Sequence, residues 1–120
     1  MTMIKLSVLL LAGTEAHSDL ARVLNALELT KEAKEAGDEV ELVFDGAAVE
    51  WIPRLNDPEH KLHPVFNAVK DRIAGACEFC AGAFDVKAEV KEAGIPFLSE
   101  YEGHPSIRKR IAEGYQIVSF

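Results

Sequence analysis

At 120 residues, 48% apolar and 28% charged, the chain is one domain, residues 1–120, with enough apolar side chains for a real core; this excludes a disordered segment or a pair of ordinary domains. A net charge of -7 excludes nonspecific binding to nucleic acid or to an anionic membrane surface, because phosphates draw Lys and Arg clusters. With two cysteines there is no disulfide framework, so the composition points to a cytoplasmic protein with reduced thiols.

Met3 to Ala12 is almost continuously apolar and bounded by Gly13, which predicts a strand covered on both faces, not a secretory leader or a membrane span. Gly13 and Thr14 turn the chain, and Thr14 or Ser18 caps a helix running to Ala36, with Leu20, Val23, Leu24 and Leu27 on one side and Gly37 as its stop. Val40 to Phe44 reads as the second strand, closed by Asp45-Gly46 and a helical turn through Ala47 to Trp51. Ile52 to Pro64 carries Pro53, Pro58 and Pro64 and reads as mostly loop, long enough to suggest function or a subunit contact. Pro64 opens a helix through Ala74, and Gly75 stops it.

The third strand is then read from Ala76 to Cys80, followed by Asp85 as the cap of a helix to Ala93. Ile95 to Leu98 forms the fourth strand, which Pro96 either makes irregular at its start or places near an edge. A helix from Pro105 carries Arg108-Lys109-Arg110 as a solvated face, and Tyr115 to Phe120 is the fifth strand. The βαβαβαβαβ alternation predicts an α/β fold, a three-layer α/β/α sandwich around a five-stranded parallel sheet. The flavodoxin-like order 2-1-3-4-5 sets strands 1 and 3 side by side, so Gly13, Thr14, His17 and Asp45 share a ligand-binding crevice with Cys80.

Cys77-Glu78-Phe79-Cys80 is the chemically distinctive stretch. In an extended strand the two cysteines lie about 10 Å apart, too far for a disulfide, whose Cα atoms approach within about 7 Å. The helix then starts after Cys80 and favours its thiolate. Cys77 becomes a core residue on the opposite face, or a resolving thiol if the strand ends early. Glu78, a charge in a buried strand, needs a partner, a wet crevice or a subunit interface, or lies outside the strand if that is shorter.

An apolar strand leading into Phe79-Cys80-Ala81-Gly82-Ala83-Phe84 ahead of a helix resembles the DsrE/DsrF-like family of small sulfur-handling α/β proteins, over essentially the whole chain. The resemblance implies a five-stranded parallel sandwich, assembly into homo-oligomers (trimers or hexamers), and a persulfide carried on Cys80. Cys77 has no clear counterpart as a sulfur carrier. The implied activity is sulfurtransfer between donor and acceptor proteins, with no metal or cofactor.

Residues for other chemistries are also present. His60-x-x-His63 followed by Cys77-x-x-Cys80 has the residue types of a zinc site in reversed order, but an extended strand aims the sulfurs apart. A non-catalytic small-molecule or protein-binding module would use the same crevice. No G-x-S-x-G elbow, P-loop or G-x-G-x-x-G spacing occurs, which argues against serine hydrolysis and nucleotide binding. Trp51, Phe66 and the long middle stretch are the expected subunit contact, or else fold over the chain's own core.

Overall fold

β1 (Lys5–Leu10) and β2 (Glu39–Phe44) form because apolar residues fill both faces of their C-terminal halves, as a strand inside a parallel sheet requires. They pair from Lys5 opposite Glu39 to Leu10 opposite Phe44. The computed structural model, which describes residues 2–120, adds β3 (Ile73–Cys77), β4 (Phe97–Leu98) and β5 (Gln116–Ser119) to give an all-parallel five-stranded sheet. The helices are α1 (His17–Glu35), α2 (Trp51–Leu55), α3 (His63–Val69), α4 (Glu78–Ala83), α5 (Lys87–Glu92) and α6 (Ile107–Ala112). Among the described residues no helix is long and apolar enough to cross a membrane.

The α/β/α sandwich stands, but its strand order is 4-3-2-1-5, not 2-1-3-4-5. The flavodoxin-like order would leave β2 at an edge. Val40, Leu42, Val43 and Phe44 are all buried, so β2 belongs in the centre, and the edges fall to the two-residue β4 and to the largely exposed β5. The edge position of β4 agrees with Pro96. Because right-handed crossovers that step in one direction stack their helices on one face, α1 to α5 lie together. Leu6, Val8, Leu10, Leu42 and Phe44 pack there against α1, α2 and α3 in one core. The return from β4 to β5 carries α6 to the other face, beside Ser7 and Glu41, which are opposite each other in register.

Local boundaries differ from the sequence reading for identifiable reasons. α1 is capped at Ala16, not Thr14 or Ser18: the Asp19 carboxylate accepts from the Ala16 amide at 3.2 Å. The supposed loop contains α2, because Pro53 lies in a first turn whose amides need no intrahelical partner. α3 stops at Val69 and a 3₁₀ turn over Lys70–Arg72 leads into β3. Asp85, with φ of 57°, closes α4 rather than capping α5.

Gly75 is the residue that moved the third strand. It stops no helix: it lies within β3, where a Cβ would stand 2.6 Å from the Pro96 carbonyl oxygen and 2.8 Å from Leu98 Cγ. Glycine is needed for the approach of β4. β3 therefore starts at Ile73 and ends at Cys77, and the extended Ala76-to-Cys80 strand does not exist.

Candidate functional site

The C-terminal edge of the sheet gathers four chemically capable side chains. β2 runs out at Asp45, β3 ends in Cys77, the first turn of α4 holds Cys80, and the loop after β4 brings His104. One ligand atom from each lies within 4.8 Å of those of the other three.

Cys77 serves as the N-cap of α4, its Sγ accepting from the Cys80 amide at 3.4 Å. A side-chain acceptor at this position satisfies an amide that the first turn would otherwise orphan. Glu78 occupies that same first turn, where a negative charge meets the positive end of the helix. This accounts for the charge that looked out of place in a strand.

His104 arrives by a tight turn. Tyr101 and His104 exchange backbone hydrogen bonds, both 2.9 Å, and the residues between them, Glu102 and Gly103, have φ of 49° and 84°. Two left-handed residues between paired positions are the mark of a type I′ turn. The turn is fastened to α4: the Phe79 amide donates to the Gly103 carbonyl at 2.9 Å, and the Phe79 ring packs on the His104 ring with centroids 4.8 Å apart. His104 Nδ1 is thereby held 3.4 Å from Cys77 Sγ, which also lies 3.7 Å from the Gly103 carbonyl oxygen.

Asp45 accepts from the Gly46 amide at 2.8 Å, and the Cys80 thiol points at the same oxygen from 3.8 Å. The two thiols differ in access: Cys77 is fully buried and Cys80 is half-buried. Burial pushes the Cys77 thiol up to about 12; the hydrogen bond from the Cys80 amide opposes this, and the Cys80 side chain and the Asp45 charge add to it. Cys77 is thus a neutral thiol at ordinary pH.

The two cysteines are therefore not separated along an extended strand. The helix begins right after Cys77, so the sulfurs converge, and it is Cys77 and not Cys80 that caps it. Of the other expected crevice residues, Asp45 joins the cluster. Gly13 and Thr14 follow β1, and β2 stands between β1 and β3, so they do not face Cys80 from a neighbouring strand. The Gly13 carbonyl accepts from Trp51 Nε1 at 2.7 Å instead. His17 is exposed and borders a shallow apolar hollow with Leu20, Leu24 and Leu62. His60 and His63 spend their Nδ1 atoms on local backbone, at Leu62 and Leu55, and are not part of the cluster.

Sequence reasoning missed His104. Its only trace is Gly103, and the dipeptides that announce type I′ turns carry Asn or Asp before glycine rather than Glu.

No family model matches the chain. The chain is 36% identical over 96 residues to the uncharacterized protein MJ0733 of Methanocaldococcus jannaschii, a match covering 80% of this chain and 78% of that one. Among solved structures it resembles a conserved protein of unknown function, BT1422 of Bacteroides thetaiotaomicron. That likeness has a TM-score of 0.64 at 18% identity, covers 95% of this chain and 94% of the other, and establishes shared fold alone.

Proposed function

Because the chain belongs to the family of the Methanocaldococcus jannaschii protein MJ0733, we propose its function from the chemistry of its site: a DsrE/DsrF-like sulfur-handling protein in which Cys80 carries a persulfide. The observation that carries the reading is the pairing of a reachable thiol, Cys80, with a buried one behind it at the C-terminal edge of a parallel sheet. Ligands and chemistry collect at that edge in α/β folds.

Cys80 as thiolate attacks the outer sulfur of a donor persulfide R–S–SH. The new S–S bond leaves Cys80–S–SH, and the donor's R–S⁻ departs and takes up the proton Cys80 lost. An acceptor thiolate then attacks the same outer sulfur and restores Cys80. Cys77 has a definite part in this scheme. As a thiolate it would attack the inner sulfur of Cys80–S–SH, close a disulfide and expel hydrogen sulfide. Held neutral by burial, it leaves the persulfide intact. Donor and acceptor are thiol proteins of the cytoplasm, and the working form is a homo-oligomer, trimer or hexamer.

Intact mass after incubation with a persulfide donor tests the proposal. The expected result is a gain of about one sulfur mass, reversed by reductant. Cys80→Ser abolishes the gain and Cys77→Ser retains it. No gain with any donor, or a gain indifferent to Cys80→Ser, would reject the reading in favour of a binding module.

A further inference from the structure

The cluster contains no cation of its own. Among the described residues no Lys or Arg makes a hydrogen bond or ion pair to Asp45, Cys77, Cys80 or His104. Two sulfurs and an imidazole converge instead on a carboxylate, their donor atoms all within 4.8 Å of one another, an arrangement that a divalent cation at the centre would face from every side.

We propose that Asp45, Cys77, Cys80 and His104 form a four-ligand binding site for Zn²⁺. Zinc bonds of about 2.0 to 2.3 Å in tetrahedral array place neighbouring ligand atoms about 3.3 to 3.8 Å apart. The Cys77 Sγ to His104 Nδ1 distance is 3.4 Å and the Cys80 Sγ to Asp45 Oδ1 distance is 3.8 Å. The remaining pairs lie within 4.8 Å, so closure needs side-chain adjustment only. Two sulfurs, one nitrogen and one oxygen suit zinc and not the all-oxygen preference of Mg²⁺ or Ca²⁺.

The ligands also have the supporting contacts that metal sites use to fix their orientation. The Cys80 amide donates to Cys77 Sγ, the Gly46 amide donates to Asp45 Oδ1, and Phe79 packs against the His104 ring. Binding replaces the two S–H protons with S–Zn bonds and releases the protons to solvent. The inference does not rest on sulfur transfer. Zinc and a transferred sulfur would compete for Cys80, so the metal-loaded chain is closed to persulfide donors.

The test titrates the metal-stripped, reduced full chain with zinc against a chromophoric chelator, and separately with cobalt(II). About one metal binds per chain, with release of about two protons. The cobalt form shows the strong ligand-field bands of a four-coordinate site and sulfur-to-metal charge transfer. Asp45→Asn and His104→Gln, both close in size to the native residue, each weaken zinc binding about 100-fold, whereas His63→Gln leaves it unchanged. A six-coordinate cobalt spectrum, binding well below one metal per chain, or an affinity unmoved by both substitutions overturns the proposal. The native-chain titration and spectrum decide the matter even if a variant fails to fold. Failure of persulfide loading leaves this result standing, and failure of zinc binding leaves the loading result standing.

Discussion

Arg110 lies buried on the second face of the sheet although its neighbours Arg108 and Lys109 are exposed, so the basic run read as one solvated face turns its last member inward. Its Nε donates to Glu41 at 2.6 Å and its NH1 to Glu100 at 2.6 Å, while Ser7 Oγ donates to Glu41 from the adjacent strand. Paired burial of this kind is tolerated because every charge finds a hydrogen-bonded counterpart. Burial alone would raise the Glu100 carboxyl, but hydrogen bonds from Arg110, the Ser106 amide and Lys109 outweigh it and hold it at about 2, against an ordinary 4.5. Since the folded value is the lower one, this contribution is complete above pH 4.5 and fades as pH falls through 2. Denaturant unfolding across that acid range should show native stability falling more steeply than that of Glu100→Gln, by a difference on the order of 2 to 3 kcal/mol. Parallel curves would show that the Glu100 pairing does not stabilise the fold.

At the level of elements, the junction between β3 and α4 governs the site. Three features set it: Gly75 lets β4 approach, Cys77 ends the strand and caps the helix, and the Tyr101–His104 turn locks onto the Phe79 amide. As a helix stop, Gly75 would put the strand at Ala76 to Cys80 and the two sulfurs apart. Glycine carries both meanings, and only the proximity of Pro96 and Leu98 separates them. Gly75→Ala should push β4 away from β3, because the added methyl meets a backbone oxygen that cannot swing aside. The expected loss is about 1 to 3 kcal/mol in denaturant unfolding. Wild-type stability in that variant would mean that β4 is not held as close as described.

Across the whole molecule the two faces of the sheet are unequally covered. One face is buried by five helices, and the other by α6 with its six residues. Ile111 on α6 remains 59% exposed, and on the edge strand β5 Val118, in register with Val8 and so on the helix-rich face, remains 37% exposed. Exposed apolar groups at a thinly covered layer and an open strand edge are the features expected of a subunit contact. Sedimentation equilibrium should give the mass of a trimer or hexamer, and Ile111→Asp combined with Val118→Asp should shift it toward the monomer. A monomeric native chain would remove the assembly from the proposed function.

Local patterning was enough to determine the alternation of strands and helices, the parallel sheet and an irregular start or edge position for β4. Each of these follows from periodicity, proline or residue type within a short window. The order of the strands, the inward turn of Arg110 and the meeting of Asp45, both thiols and His104 were decided by tertiary structure. A crossover can step to either side of a strand with the same local pattern, and which side it takes depends on burying β2 on both faces. His104 reaches Cys77 from a distant loop through a left-handed turn pinned to α4, a contact that no nearby residue announces.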